Sequence, residues 1–399
     1  MILMKYYFKY FSMNRRPNII FWAAKIILLQ GISFFILTLY LEGKEIKRDT
    51  IFDKWDKNGD NKLQLDELPP NARPNFNKAD QNNDGTISRE EDKAFRNRLK
   101  RNNDFERPAQ SSLIKIKQNI FYTKNENLRQ SLDLIIPQKR KKEKLPVIVY
   151  IHGGAWKAGN KNQGHRHLSA LVESGHYIGV SVGYRLSSQS KWPSQIHDCK
   201  AAIRWIRGNA IEYGMDTTKI GALGHSAGGH LVSMLGTTSG VKALEGSLGQ
   251  HTNESSKINC VINFFGPSAF LEMSKFPSRI DHDAANSPES QLIGGALQSN
   301  KKKALQASPI YYASKDDVPF LHIHGTNDQL VPYNQSVIFN KKLREKGCRS
   351  TLITIKGGGH GGFKDEKIKD LSQNFFAKHL RNSDFDIKAQ TIKQFNSTD

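Results

Sequence analysis

The sequence predicts an α/β protein, with a mostly parallel sheet covered by helices on both faces and a small helical unit before it. Three observations support this fold class. From about residue 111, short apolar runs bounded by turn residues alternate with longer amphipathic stretches, which is the pattern of strands joined by crossover helices. Before that point the chain carries two acidic loops rich in asparagine and glycine. Its 399 residues also suffice for two or three domains.

The composition is that of a globular protein with an excess of positive charge. Apolar residues make up 38% and charged residues 24%, and 59 Lys and Arg against 38 Asp and Glu give a net charge of +21. This excess indicates either an acidic partner, such as a membrane surface or a polyanionic glycan, or simply a solvated basic surface. No basic stretch is interleaved with aromatic residues, so we expect no nucleic-acid partner. The longest basic run, Lys139–Lys144, lies between two strand-like segments and predicts an exposed turn.

The cysteine content is low. The three cysteines, Cys199, Cys260 and Cys348, exclude a disulfide-stapled scaffold and a zinc site built from cysteines, and they leave open a single disulfide.

The N-terminal segment, residues 1–43, is typical of an export signal. Residues 1–16 contain four basic residues and no acid, and an apolar run follows from about Ile26 to Leu41. The run ends at Leu41-Glu42-Gly43, without the small residues that signal peptidase needs. Residues 19–41 are long enough to span a bilayer, although Lys25 would be a costly charge inside it. A cleaved signal and an uncleaved membrane anchor are both open, and either predicts an exported protein, periplasmic, extracellular or anchored facing outward.

Residues 44–100 contain two loops, 56–67 and 80–91, that fit the twelve-residue EF-hand template for calcium. The alternating oxygen donors match the six to eight oxygen ligands that calcium prefers. The predicted ligands of the first loop are Asp56, Asn58, Asp60, the Lys62 carbonyl and Glu67, with Gln64 at position 9. Those of the second loop are Asp80, Asn82, Asp84, the Thr86 carbonyl and Glu91, with Ser88 at position 9.

Other positions of the two loops support a paired unit. Gly85 provides the sharp turn at position 6, where the first loop has Asn61, a residue that also tolerates positive φ. Leu63 and Ile87 stand at position 8, where paired loops join through a short strand. Prolines between the loops limit the helices there to a few residues, so we expect a compact structural pair with structural calcium rather than an opening sensor.

The remainder of the chain divides into a linker at 101–112, the predicted α/β domain at 113–382 and a C-terminal tail at 383–399. Within that domain, Gly224-His225-Ser226-Ala227-Gly228 follows the apolar run 219–223 and precedes a helical stretch at 230–235. A G-x-S-x-G sequence between a strand and a helix indicates a nucleophilic serine on a sharp turn, where only small neighbours fit. Ser226 is therefore the predicted nucleophile.

A glycine-rich loop supports this interpretation. His152-Gly153-Gly154-Ala155-Trp156 follows the predicted strand 145–151. Backbone N–H groups of such a loop approach a substrate oxyanion closely, together with the N–H of the residue after the nucleophile. The predicted oxyanion hole consists of Gly153, Gly154, Ala155 and Ala227.

The acid and the base should follow the serine in that order. Asp328 lies just beyond the predicted strand 318–323, and His360 lies just beyond the strand-like segment 351–355. Loops at strand ends are where open sheets carry catalytic residues. His360 is the predicted base and Asp328 its orienting acid. His165, His167 and His379 are expected on surface helices or loops, whereas His322 and His324 precede the acid.

These motifs, HGGAW at 152–156, GHSAGG at 224–229 and HGTND with GGGH at 324–328 and 357–360, resemble those of α/β-hydrolase-fold carboxylesterases. The resemblance is strongest to the BD-FAE (bifunctional feruloyl and acetyl esterase) group, related to hormone-sensitive-lipase-like esterases, over about residues 111–382. Segments 181–186, 198–206 and 263–267 also look like that group. Ala155 replaces a third glycine, and His225 stands where an acid or glycine is common.

The resemblance implies a serine carboxylesterase without an organic cofactor, acting on short-chain or sugar-linked acyl esters such as acetylated or feruloylated polysaccharides. Two alternatives stay open, a prolyl-oligopeptidase-like peptidase and a catalytically dead calcium-dependent binding protein. The polar segment 268–308 would form either a lid or pocket wall, with Phe270, Met273 and Phe276 as its apolar contacts, or a surface excursion.

Overall fold

The computed structural model describes residues 50–69, 72–82, 84–105 and 112–394. These described residues form two compact units, which divide after residue 103. The predicted signal or anchor at residues 1–43 lies outside the described residues. In the part of the chain that is described, no helix is both long and apolar enough to cross a bilayer.

The first unit is a pair of helix-flanked loops. Its elements are α1 (Thr50–Trp55), β1 (Lys62–Leu63), α2 (Phe76–Ala79), β2 (Ile87–Ser88) and α3 (Arg89–Phe105). Strands β1 and β2 are antiparallel and place Leu63 opposite Ile87, which confirms the predicted pairing at position 8. Both side chains are buried with Phe52 and Phe76 in a small core. Helix α3 continues past residue 100, into the segment predicted as a linker.

The second unit is built on a nine-stranded sheet of order β11-β10-β9-β8-β7-β5-β6-β4-β3. Strands β3 and β4 are antiparallel to their neighbours, and the other pairs are parallel. The fold is an α/β-hydrolase fold, as predicted. The strands are β3 (Ile114–Phe121), β4 (Ser131–Pro137), β5 (Leu145–Ile151), β6 (Ile178–Val182), β7 (Met215–His225), β8 (Cys260–Phe264), β9 (Phe320–Gly325), β10 (Ser350–Lys356) and β11 (Gln390–Lys393).

Helices cover both faces of this sheet, because the side chains of its buried strands alternate between two apolar clusters. In β5, for example, Val147 and Val149 join one cluster and Ile148 and Tyr150 the other. The first cluster includes α5, α7 and α11, and the second includes α4 and α12. The helices are α4 (Gln163–Glu173), α5 (Ser194–Gly208), α6 (Ala210–Tyr213), α7 (Ala227–Thr237), α8 (Lys242–Glu245), α9 (Pro288–Ile293), α10 (Lys301–Gln306), α11 (Asn334–Glu345) and α12 (Glu366–Arg381).

Two smaller features complete the sheet unit. Strand β11 pairs in parallel with β10, placing Ile392 opposite Ile355, so the sheet extends beyond residue 382 into the predicted C-terminal tail. Burial of Ile392 against the second cluster explains why this otherwise polar segment forms a strand. The three cysteines are buried and free, so the disulfide left open by the sequence is not formed.

Candidate active site

Ser226 lies on a sharp turn between β7 and α7. Its φ of 55° and ψ of −121° belong to a region that non-glycine residues rarely occupy. The turn is held by a hydrogen bond from the Ser226 N–H to the Phe264 carbonyl, 2.9 Å. A side chain on Gly224 would collide with the backbone of Gly228, and one on Gly228 would collide with the Ile151 carbonyl. The two glycines of G-x-S-x-G are therefore required by packing.

The predicted oxyanion loop lies beside this turn. A Cβ placed on Gly153 would stand 3.4 Å from the Ser226 Cβ and 2.7 Å from the His225 carbonyl. Gly154 and Ala155 continue the loop with φ of 109° and 53°. Ala227 is the first residue of α7, so its N–H has no acceptor within the helix. All four predicted oxyanion residues line one cavity with Ser226.

Asp328 and His360 meet at the ends of β9 and β10. The His360 Nδ1–H donates to Asp328 Oδ2 over 2.7 Å. This bond leaves Nε2 of the neutral ring as a proton acceptor. Asp328 is 3% exposed, and His360 lines the same cavity as Ser226. Within the described residues no hydrogen bond joins the Ser226 hydroxyl to His360; such bonds are often long in enzymes without substrate.

A second histidine, which is not among the predicted site residues, also binds the acid. His324 is fully buried, with its Nε2 3.1 Å from Asp328 Oδ2 and 3.0 Å from the Val331 carbonyl. Its Nδ1 lies 2.8 Å from Ser336 Oγ. Because two acceptors face Nε2, that nitrogen carries the proton and donates to the carboxylate. The signal available in the sequence was its position four residues before the predicted acid.

The Asp328 carboxyl is held in its charged form. Burial raises its pKa, but hydrogen bonds from His324 and His360 outweigh the burial, and the net pKa lies well below the ordinary value. Its other oxygen, Oδ1, accepts the N–H groups of Leu330 (2.8 Å) and Val331 (2.9 Å). The acid therefore remains ionised beside His360 at neutral pH.

The cavity that contains Ser226 has a volume of about 1000 Å³. Beyond the residues above, helices α4 and α12 border it and contribute both apolar and charged side chains. The cavity is also lined by Leu171, Phe363, Ile368, Phe376, Arg166 and Lys364. This volume is at the upper end of the range of small-molecule sites.

Four rings form a column along one wall of the cavity. Phe264 stacks on His225 (4.4 Å between ring centres), His225 contacts His167 (4.3 Å), and His167 stacks on Tyr150 (4.8 Å). Burial lowers the pKa of His167 to about 4 and takes the pKa of His225 well below its ordinary value. Both imidazoles are therefore neutral next to Ser226.

Two histidines expected at the surface are not there. His167 faces the cavity, and His165 is buried with its Nε2 2.8 Å from the Asp133 carboxylate. Both lie on α4, whose inner side packs against the sheet. The sequence did not reveal which side of this helix faces inward.

Comparison with known proteins places the chain in a family. The BD-FAE family matches residues 132–343, which is more than half of the chain. The chain belongs to the BD-FAE family. Over 203 residues it is 34% identical to a probable carboxylic ester hydrolase, LipM, of Mycobacterium tuberculosis, covering 50% of this chain and 45% of LipM. It is 31% identical to the esterase LipC of the same organism, covering 54% of this chain and 53% of LipC.

The chain is also similar to a solved esterase structure. A truncated carbohydrate esterase from gut microbiota is 32% identical, with a TM-score of 0.63, and the match covers 69% of this chain and 99% of that one. The chain spans about half the length of the curated relatives it matches.

The segment between β8 and α10 in this BD-FAE chain forms part of the cavity wall. Phe270 and Met273 are fully buried in the first apolar cluster. Within residues 268–308, the side chains that reach the cavity are instead those of Ile280, Pro288 and Glu289. Of the two structures that the sequence left open for residues 268–308, the pocket wall fits this arrangement.

The two acidic loops of the first unit share one internal geometry. Glu67 Oε1 accepts the Lys57 N–H over 2.9 Å, and Glu91 Oε1 accepts the Gln81 N–H over 3.0 Å. Asn61 adopts a φ of 63° at the position where Gly85 has 82°. An EF-hand family match covers residues 76–91, which contain the second loop.

The donor set of these loops suits a hard cation. Asp80 is 6% exposed, and its Oδ1 is buried without a hydrogen-bond partner. A buried oxygen in that state is costly unless a cation or another donor satisfies it. Among the described residues no group of three or more His, Cys, Asp or Glu side chains is assembled as a metal site; the template also uses Asn side chains and backbone carbonyls.

Proposed function

We propose that this protein is an exported serine carboxylesterase that hydrolyses short-chain or sugar-linked acyl esters of the acetyl or feruloyl type. The observation that carries the proposal is one cavity holding Ser226 on its strained turn, the backbone of Gly153 to Ala155, and His360 hydrogen-bonded to Asp328. Each of these groups has a defined role in acyl transfer.

The reaction would proceed in two halves. His360 Nε2 takes the proton from Ser226 Oγ, which attacks the acyl carbon, while N–H groups of Ala227 and the Gly153–Ala155 loop stabilise the oxyanion. The imidazolium then protonates the leaving alcohol, and an acyl-serine remains. Water, deprotonated by His360, attacks the acyl-serine; the acid leaves and the imidazolium returns its proton to Ser226 Oγ. Asp328 stabilises the imidazolium throughout, which its low pKa allows.

The size of the cavity and the known relatives support a sugar-linked substrate. About 1000 Å³ exceeds what an acetyl group fills, so the cavity has room for a bulky alcohol or an aromatic acyl group. A similar solved structure is described as a carbohydrate esterase. The basic composition is compatible with an acidic polysaccharide or with membrane association through residues 1–43.

We extend the proposal to calcium in the first unit. The ligands would be the oxygens named above for the two loops, from Asp56 to Glu67 and from Asp80 to Glu91. Calcium bound there would neutralise clustered carboxylates and stabilise the paired loops. The ester chemistry itself requires only residues of the second unit.

A ladder of p-nitrophenyl esters from acetyl to decanoyl, with methyl ferulate alongside, tests the esterase proposal. We expect turnover of acetyl and butyryl esters, and Ser226→Ala should reduce it by a factor on the order of 10⁶. A fluorophosphonate should label the wild-type protein and leave the variant unlabelled. Hydrolysis of a prolyl anilide without ester turnover would instead indicate a peptidase, and neither activity nor labelling would indicate a catalytically dead protein.

A further inference from the structure

One buried acid in the cavity wall has no part in the mechanism above. Three acidic side chains line the cavity, namely Glu289, Asp365 and Glu366. Asp365 Oδ1 accepts the Lys367 N–H at the start of α12, and Glu366 pairs with Lys369 over 3.3 Å. Glu289 differs from both because it is only 3% exposed.

Glu289 is held in place by a buried histidine. The His282 Nδ1–H donates to Glu289 Oε2 over 3.1 Å, and His282 itself is fully buried. The other ring nitrogen lies 3.2 Å from Ser278 Oγ. Among the described residues this is the one side-chain hydrogen bond of Glu289. A carboxylate has about four acceptor sites, so acceptor capacity is left unused.

The segment that carries Glu289 is fixed to the rest of the site. The Arg279 N–H donates to the Gln329 carbonyl over 2.8 Å, which ties the segment to the loop that contains Asp328. Leu292 and Ile293 of α9 are buried in the first apolar cluster, and the Leu292 carbonyl accepts the Trp192 N–H. A carboxylate on such a rigid support is pre-organised for binding rather than mobile.

Building on the proposed function, we propose that Glu289 binds a hydroxyl group of the substrate and so selects esters of polyhydroxylated alcohols. A buried carboxylate with free acceptor sites is stabilised by O–H donors, which a sugar supplies and a simple alkyl alcohol lacks. A cationic group could also satisfy it, but Arg166 and Lys364 line the same cavity and form no ion pair within the described residues. These cations disfavour a positively charged substrate.

The test compares two esters that differ by one hydroxyl group, trans-2-hydroxycyclohexyl acetate and cyclohexyl acetate. For wild-type protein we expect kcat/KM to be about tenfold or more higher for the hydroxylated ester. Glu289→Gln should reduce that ratio to near unity, mainly by raising KM for the hydroxylated ester. The matched control is Glu366→Gln, since the Glu366 side chain is 79% exposed; this variant should leave the ratio unchanged. Melting temperatures of all three proteins verify folding.

The other outcomes overturn the inference. If Glu289→Gln lowers kcat/KM equally for both esters, Glu289 is a purely structural residue. If kcat/KM is unchanged for both esters, Glu289 does not bind the substrate. Equal turnover of the two esters by the wild type would also contradict the inference while leaving the esterase proposal intact. Failure of the esterase proposal is recognised separately, because p-nitrophenyl acetate would then not be hydrolysed by the wild type.

Discussion

Asp328 Oδ2 accepts hydrogen bonds from two imidazoles, His360 Nδ1 at 2.7 Å and His324 Nε2 at 3.1 Å. Only His360 reaches the cavity that contains Ser226, whereas His324 is fully buried behind the acid. We therefore expect His324 to act as a positioning residue. It fixes the direction of the carboxylate oxygen that in turn orients His360.

Two amide substitutions at His324 should separate this role from simple packing. In Gln the amide nitrogen can occupy the place of Nε2 and donate to Asp328, whereas in Asn it corresponds to Nδ1 and faces Ser336. We expect His324→Gln to retain kcat within about fivefold and His324→Asn to lower kcat by 10- to 100-fold, with KM little changed. Steady-state kinetics on p-nitrophenyl acetate measure this. Equal effects of the two variants, at equal melting temperatures, would argue against the positioning role.

The low pKa of Asp328 predicts how stability depends on pH. Burial raises the pKa of Asp328, but the hydrogen bonds from His324 and His360 lower it by more than burial raises it. A carboxyl with a depressed folded-state pKa stabilises the fold above its unfolded value of about 4, and this contribution disappears as the pH falls further. We expect Asp328→Asn to melt roughly 5 °C or more below wild type at pH 6, with the gap closing towards pH 3. A constant gap over this range would contradict the prediction.

The buried ring of His230 should cause a second loss of stability, at a higher pH than the loss caused by Asp328. It is fully buried, accepts the Trp156 Nε1–H at Nδ1 (3.2 Å) and donates from Nε2 to the Ala307 carbonyl (2.7 Å). Burial lowers its pKa from 6.5 to about 4. Protonation is therefore easier in the unfolded chain, and the stability contributed by the neutral ring is lost as the pH falls from about 6.5 to 4.

His230→Gln provides the comparison for this effect. Gln preserves a donor to the Ala307 carbonyl but does not titrate. We expect the melting temperature of the wild type to fall between pH 7 and pH 4.5 by roughly 4 °C more than that of the variant. Other buried histidines contribute equally to both proteins and cancel. Parallel curves would show that His230 does not contribute to this acid sensitivity.

The site residues that could be predicted from the sequence are those that lie in short local motifs. Ser226, Asp328 and His360 each follow a strand in a short motif, so their positions at one sheet edge could be inferred from order alone. Glu289 and His282 could not, because they lie in a segment without periodicity and gain their meaning from tertiary packing.

The same distinction applies to the fold. Central strands such as β5 are continuous apolar runs and were predicted closely. Strand β11 has one buried residue, Ile392, and forms only because β10 offers it a partner. For a related reason the sequence did not reveal which side of helix α4 faces inward. The neighbours of His165 and His167 come from distant parts of the chain.

Calcium binding by the first unit can be tested by substituting two adjacent glutamates, Glu90 and Glu91. Glu91 stands at position 12 of its loop, and its carboxylate accepts the N–H groups of Gln81 (3.0 Å) and Ser88 (2.9 Å). Glu90 is exposed at position 11 and has no place in the ligand template. We expect Glu91→Gln to weaken calcium binding by about 100-fold or more, measured by isothermal titration calorimetry. Glu90→Gln should bind calcium within about twofold of wild type.

Thermal melting of the same two variants gives an independent readout. Calcium should raise the melting temperature of the wild type and of Glu90→Gln, and the increase should be smaller in Glu91→Gln because one loop is lost. The additional substitution Glu67→Gln should abolish the increase, while turnover of p-nitrophenyl acetate stays at the wild-type rate since Ser226, Asp328 and His360 belong to the other unit. An undiminished calcium shift in the double variant would show that the ion binds elsewhere, and the assignment of the two loops would fail.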